Sequence, residues 1–203
     1  MKKLAWLAVL TAALGLLWAP AVLAGEIKVG GIFDITGPTS DVGKDYGEGA
    51  VAAEKYINAK GGIDGDMLKL IPNDYAYKIP EAVNLYKKYL SVDKVFVIQG
   101  WGTGDTNALR PLVNKDKVVF FSASYDGNLT DPKQTPYNFF IGTDYSTSIR
   151  AAVKFAKDSG AKKFVFIYPD HPYGKNPSPA GKAFAQAVGL EIGPDEIVEL
   201  KAI

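Results

Sequence analysis

The sequence has no cysteine. That one absence excludes disulfides, thiolate metal sites and a cysteine nucleophile. A domain of this length can build its core without such staples, so the absence is compatible with export. Histidine is nearly absent as well. His171, between Asp170 and Pro172, is the only one, and a lone imidazole makes no zinc site. Charge of one sign is also lacking. The formal net charge is +1, and Lys2 and Lys3 account for more than all of it. No basic footprint points to nucleic acid or to anionic lipid. Beyond residue 24 no apolar run is long enough to cross a bilayer.

Catalytic signatures are missing too. Gly37 to Asp45 approaches a phosphate-binding P-loop, but the spacing is one residue too long and Asp45 stands where a Mg²⁺-binding hydroxyl belongs. Gly100-Trp-Gly102-Thr-Gly104 matches half of a dinucleotide fingerprint and misplaces the third glycine. No Gly-x-Ser-x-Gly elbow occurs. Neither an enzyme, a cofactor nor a metal is expected.

What is present begins with a leader. Met1-Lys2-Lys3 is a positive start, Leu4 to Trp18 an apolar stretch of about 15 residues, and Val22-Leu23-Ala24 a small-residue cleavage site. Residues 1–24 are therefore expected to be a cleaved signal peptide, leaving a periplasmic protein without stable membrane insertion. The alternative, a membrane anchor, is disfavoured by the short run and by Pro20.

The rest alternates strand and helix. Ile27 to Phe33 reads as a strand, and Tyr46, Ala50, Ala53 and Ile57 share one helix face, closed by Gly61-Gly62. Met67 to Ile71, Val95 to Gln99, Val118 to Phe121, Tyr137 to Ile141 and Phe164 to Tyr168 read as further strands. Pro80, Ala108–Leu112, Ile149–Ala156 and Ala180–Val188 mark helices between them. Such alternation predicts an α/β fold with parallel sheets and right-handed crossovers. The runs from Val95 and Val118 look apolar enough to be buried on both faces.

The third of these strands organises the reading. It breaks at Gly100, Gly102 and Gly104 and resumes as a helix, which places backbone N–H groups at a helix N-terminus beyond a strand's carboxyl end. A carboxylate on a small solute would suit that place. The Thr103 hydroxyl equally suits a plain helix N-cap. Ser122 and Ser124 also read as strand-end hydroxyls, Trp101 as packing, and Tyr173 as an exposed loop aromatic.

A resemblance adds to this. Thr36-Gly37-Pro38, Gly43, Gly49-Ala50, the run Ile57-Asn-Ala-Lys-Gly-Gly-Ile-Asp-Gly65 and Asn73-Asp74 resemble the opening of a type I periplasmic solute-binding protein, in particular the leucine/isoleucine/valine-binding proteins of ABC transporters. Asp170 with Tyr173-Gly174 resembles that family's aspartate–tyrosine–glycine in the second lobe. The resemblance implies two doubly wound lobes with hinge crossings. Residues 25–141 would form the first, and 142–203 the start of an incomplete second, in a chain expected to be part of a longer protein. It further implies that Thr103, with the backbone of Trp101 and Gly102, meets a solute carboxylate. Ser122, Ala123, Ser124 and Tyr125 would meet its ammonium, and Tyr173 would close over it. The implied partners are a small amino-acid or carboxylate solute and an ABC permease; a stand-alone periplasmic sensor of the same fold is the alternative. Asp126, where the family has Ser or Thr, and the large Trp101 depart from the pattern and bear on which solute is held.

Overall fold

The computed structural model describes residues 25–200, so the leader expected over 1–24 lies outside the described residues. The first half runs β1 (Glu26–Phe33), α1 (Ser40–Ala59), β2 (Met67–Asp74), α2 (Ile79–Lys88), β3 (Val97–Gly100), α3 (Thr103–Asp116), β4 (Val119–Ser122) and β5 (Asn138–Phe139). Its strands form one parallel sheet in the order β2-β1-β3-β4-β5. The chain winds outward in opposite directions from β1, which puts a topological switch point between β1 and β3.

Helices cover both sheet faces. Ile32, Ile98 and Phe120 point to one side and pack with Ala82, Leu85 and Tyr86 of α2 and Leu109 and Val113 of α3. Phe33 and Gln99 point to the other, where Tyr46 of α1 meets them edge-on at 5.7 Å and by a hydrogen bond of 2.8 Å. The α1 helix packs mainly on β1 and β2 and touches β3 through Tyr46. On that side Phe121 and Phe139 are left 41% and 44% exposed, 5.5 Å apart, and Phe96 before β3 is 75% exposed. The apolar runs of β3 and β4 are therefore buried on one face rather than two, because among the described residues no helix covers this flank.

Local chemistry explains the joints. The α1 helix ends where Gly61 and Gly62 take φ of +96° and +76°, values that glycine adopts without strain. Just before them the Asn58 amide donates to and accepts from the backbone of Leu68, both at 2.8 Å, and so fixes where β2 begins. Pro80 stands in the first turn of α2, as its fixed φ favours.

The second half runs α4 (Tyr145–Asp158), β6 (Lys163–Phe164), β7 (Ile167–Pro169), α5 (Pro172–Lys175), α6 (Ser178–Ala187), β8 (Glu191–Ile192) and β9 (Glu196–Val198). The strand expected over Phe164–Tyr168 is two. Lys163 faces Glu191 whereas Ile167 faces Glu196, so the partner side carries an extra residue around Gly193-Pro194. Proline offers no N–H to the ladder, and the pairing restarts in a new register as β7–β9. A small core of Val153, Phe166, Ala185 and Leu190 holds α4 and α6 against these strands.

Candidate functional site

Three loops meet at the switch point. In the first, after β1, the fully buried Asp34 accepts the N–H groups of Gly37 and Thr39 at 2.7 and 2.8 Å and the Thr39 hydroxyl at 2.6 Å. Thr39 in turn accepts the Trp101 indole N–H at 2.8 Å, which ties the β3 loop to the β1 loop. The Trp101 ring lies 5.0 Å from Tyr46.

The second loop follows β2. Asp74 accepts the N–H groups of Ile35 and Ala76, both at 2.9 Å. Beyond it Ala76 and Tyr77 both have left-handed backbones, φ +48° and +56°, a conformation that costs a non-glycine residue energy. The strained turn delivers the Tyr77 phenol to the start of α3, where it takes a hydrogen bond from the Thr103 N–H. Burial first, and then the charge of Asp105, push that phenol well above the ordinary tyrosine range.

The third loop, after β3, is organised from inside. Asp105, in the first turn of α3, is completely buried and accepts the Tyr75 hydroxyl at 2.8 Å and the Gly102 N–H at 3.3 Å, with further support from the Trp101 backbone. Burial outweighs these hydrogen bonds and pushes its carboxyl up to about 7. The sequence pattern aimed the amides of this loop at a solute anion. In the structure those of Trp101 and Gly102 meet Asp105, and that of Thr103 meets Tyr77. The helix end carries its own counter-charge.

The β4 loop lies behind. Ser124, fully buried, donates its hydroxyl to Thr103 Oγ1 at 2.9 Å, and Ser122 is hydrogen-bonded within the same turn. The Ala123 carbonyl accepts the Tyr145 hydroxyl at 3.2 Å. From the second half Tyr173 stands over the opening, its ring perpendicular to Tyr145 at 5.1 Å.

These groups enclose a cavity of about 340 Å³. Of the residues singled out in the sequence, Trp101, Gly102, Thr103, Ala123 and Tyr173 line it. Ser124 and Ser122 support it from beneath, and Tyr125 packs instead on Phe140 and Tyr145 at 5.6 and 5.8 Å. The sequence reading missed Thr39, Tyr77 and Tyr145, which also line it. For Tyr145 a signal existed, since Asp144 caps α4 where the chain crosses between halves. For Tyr77 there was none, because a left-handed tyrosine cannot be told from a loop aromatic. Another hollow, about 400 Å³, lies between α1 and the end of β1, lined by Phe33, Ile35 and Pro72 with Lys44, Glu48 and Lys55.

His171 is not simply solvated. It accepts the Tyr173 N–H at 3.2 Å, packs on Tyr77 at 5.4 Å and is half-buried, which lowers its proton affinity. Beside it Asp126 accepts amide hydrogens from Asn107 at 2.7 Å and Asn176 at 2.6 Å, joining α3 to the α5–α6 junction. Among the described residues no group of three His, Asp or Glu side chains is placed to hold a metal. No described helix is long and apolar enough to cross a membrane.

The profile described as "Periplasmic binding protein" matches residues 26–202. The chain belongs to that family. It is 28% identical over 191 residues to the Leu/Ile/Val-binding protein homolog 7 of Brucella suis, covering 87% of this chain and 47% of that one. A crystal structure of an ABC-transporter substrate-binding protein from Aeropyrum pernix superposes with a TM-score of 0.81 at 36% identity, over 89% of this chain and 48% of the other. A solute-binding protein of an ABC transporter from Rhodopseudomonas palustris, in complex with 3,4-dihydroxybenzoic acid, superposes at 0.76 with 26% identity, over 87% and 48%. The chain thus spans about half the length of the relatives it matches. Those relatives bind solutes rather than transform them, and the type I fold with two parallel-sheet lobes is the one expected from the sequence.

Proposed function

We propose that this chain captures a small amino-acid-like or carboxylate solute between its two lobes, outside the cytoplasmic membrane, and presents it to the permease of an ABC importer without chemical change. The observation that carries this reading is the 340 Å³ cavity at the β1/β3 switch point, walled by loops of the first sheet and by Tyr173 from the second half. The names of the Brucella and Rhodopseudomonas relatives support the solute class. In this reading residues 1–24 are a cleaved leader, the first lobe is 25–141 and the second begins at 142. Trp101, Gly102, Thr103, Ala123 and Tyr173 touch the solute, while Ser122, Ser124 and Tyr125 hold that wall in place. Docking on the first lobe precedes closure of the second, and solute shifts the population toward the closed form.

The test is a thermal-shift screen of the whole protein against amino acids and carboxylates. A ligand at 100 times its Kd raises stability by about 2.7 kcal/mol. Calorimetry on Thr103→Val then tests the wall itself, with affinity expected to fall about tenfold for the lost hydrogen bond. Unchanged affinity would remove Thr103 from the site.

A further inference from the structure

The cavity has an unusual balance of chemistry for an anion. Among the described residues no lysine or arginine lines it, and the one ionisable carboxylate on its wall is Asp41. Directly behind the wall lie two buried acids, Asp34 holding Thr39 and Asp105 holding Gly102. Four aromatic side chains, Tyr77, Trp101, Tyr145 and Tyr173, stand on the same wall. Two of the polar acceptors on its wall each already take one hydrogen bond. The Ala123 carbonyl takes the Tyr145 hydroxyl and Thr103 Oγ1 takes that of Ser124. A buried –NH₃⁺ brings three donors that each need a partner, whereas a quaternary ammonium brings none.

Building on solute capture as proposed above, we infer that the solute carries a quaternary ammonium head, held against Tyr77, Trp101, Tyr145 and Tyr173 with Asp41 at the mouth. Such a cation has no N–H to satisfy and is weakly hydrated. Aromatic rings attract it through their quadrupole, and the Asp41 carboxylate at the mouth adds a charge of the right sign. If the solute is a zwitterion, the Tyr77 hydroxyl is the donor for its carboxylate. That oxygen accepts from the Thr103 N–H, so its own proton is free to point at the solute.

Trp101 makes the test direct. The other two tryptophans in these 203 residues are Trp6 and Trp18, and with both changed to phenylalanine the cavity holds this chain's remaining indole. The full chain is titrated at constant ionic strength with tetramethylammonium, trimethylglycine, leucine and benzoate while Trp101 fluorescence is followed. Tetramethylammonium and trimethylglycine are expected to saturate at concentrations about tenfold below leucine and benzoate, a ratio within reach of cation–π attraction. Tyr77→Leu should weaken both cations about tenfold, and Tyr77→Phe, which keeps the ring, by no more than about threefold. If Tyr77→Leu fails to fold by circular dichroism, Asp41→Asn at the exposed mouth replaces it, with severalfold weaker cation binding expected. Saturation by leucine or benzoate, with the quaternary cations no different from sodium chloride, overturns the inference and leaves solute capture standing. Saturation by none of the four overturns both.

Discussion

The two halves of the chain solve the same packing problem to different degrees. The first closes ten buried residues, from Ile32 to Phe120, between its sheet and helices α2 and α3. The second encloses only four, and its strands pair two by two, with Ile167 and Ile197 69% and 58% exposed. Burying apolar surface is what stabilises a fold, so within these residues the first half should carry most of the stability.

The sharpest way to break this comparison is a pair of matched truncations. Phe120→Ala should cost about 3–5 kcal/mol in denaturant unfolding, whereas Phe166→Ala should cost no more than about 3, since fewer neighbours define its cavity. Equal costs would mean one cooperative unit. Next in size is a pH effect confined to the first half. Folded Asp105 keeps its proton up to about pH 7, while its unfolded counterpart loses it near 3.8. Between those values the folded state binds more protons, so stability falls as pH rises, by about 1.4 kcal/mol per pH step of one. Asp105→Asn should flatten that slope in denaturant titrations run across the same range. Third, Asp126→Ala removes the acceptor shared by Asn107 and Asn176 across the two halves. Leaving those amides unpaired should cost about 1–3 kcal/mol and speed trypsin cleavage within 145–200. The smallest effect belongs to the exposed Lys154–Asp158 pair on α4, where Asp158→Ala should change stability by only about 0.3–0.5 kcal/mol.

The order of elements was readable because apolar periodicity and glycine caps are local properties. Gly61 with Gly62 and Pro80 stand where those rules put them. What was not readable depends on partners distant in sequence. Phe121 has the same local signature as Phe120, yet only one finds a helix opposite, because α1 packs mainly on β1 and β2. The ladder break near Pro194 showed no trace in the run Phe164–Tyr168, since it arises in the other strand. At the site the glycine-rich turn correctly marked the place. The destination of its amides was hidden, because it takes the fold to show that Asp105 turns inward and Tyr77 arrives from β2.

The paired left-handed residues Ala76 and Tyr77 act as a loaded clip. Each costs about 1–2 kcal/mol, and the turn persists because Asp74 grips the Ala76 N–H and Thr103 grips the Tyr77 phenol. Directed evolution for heat tolerance alone would therefore be drawn to Ala76→Gly, which relaxes the clip. The hardier receptor so obtained would grip its cargo with a slacker wall, trading selectivity for durability at a single codon.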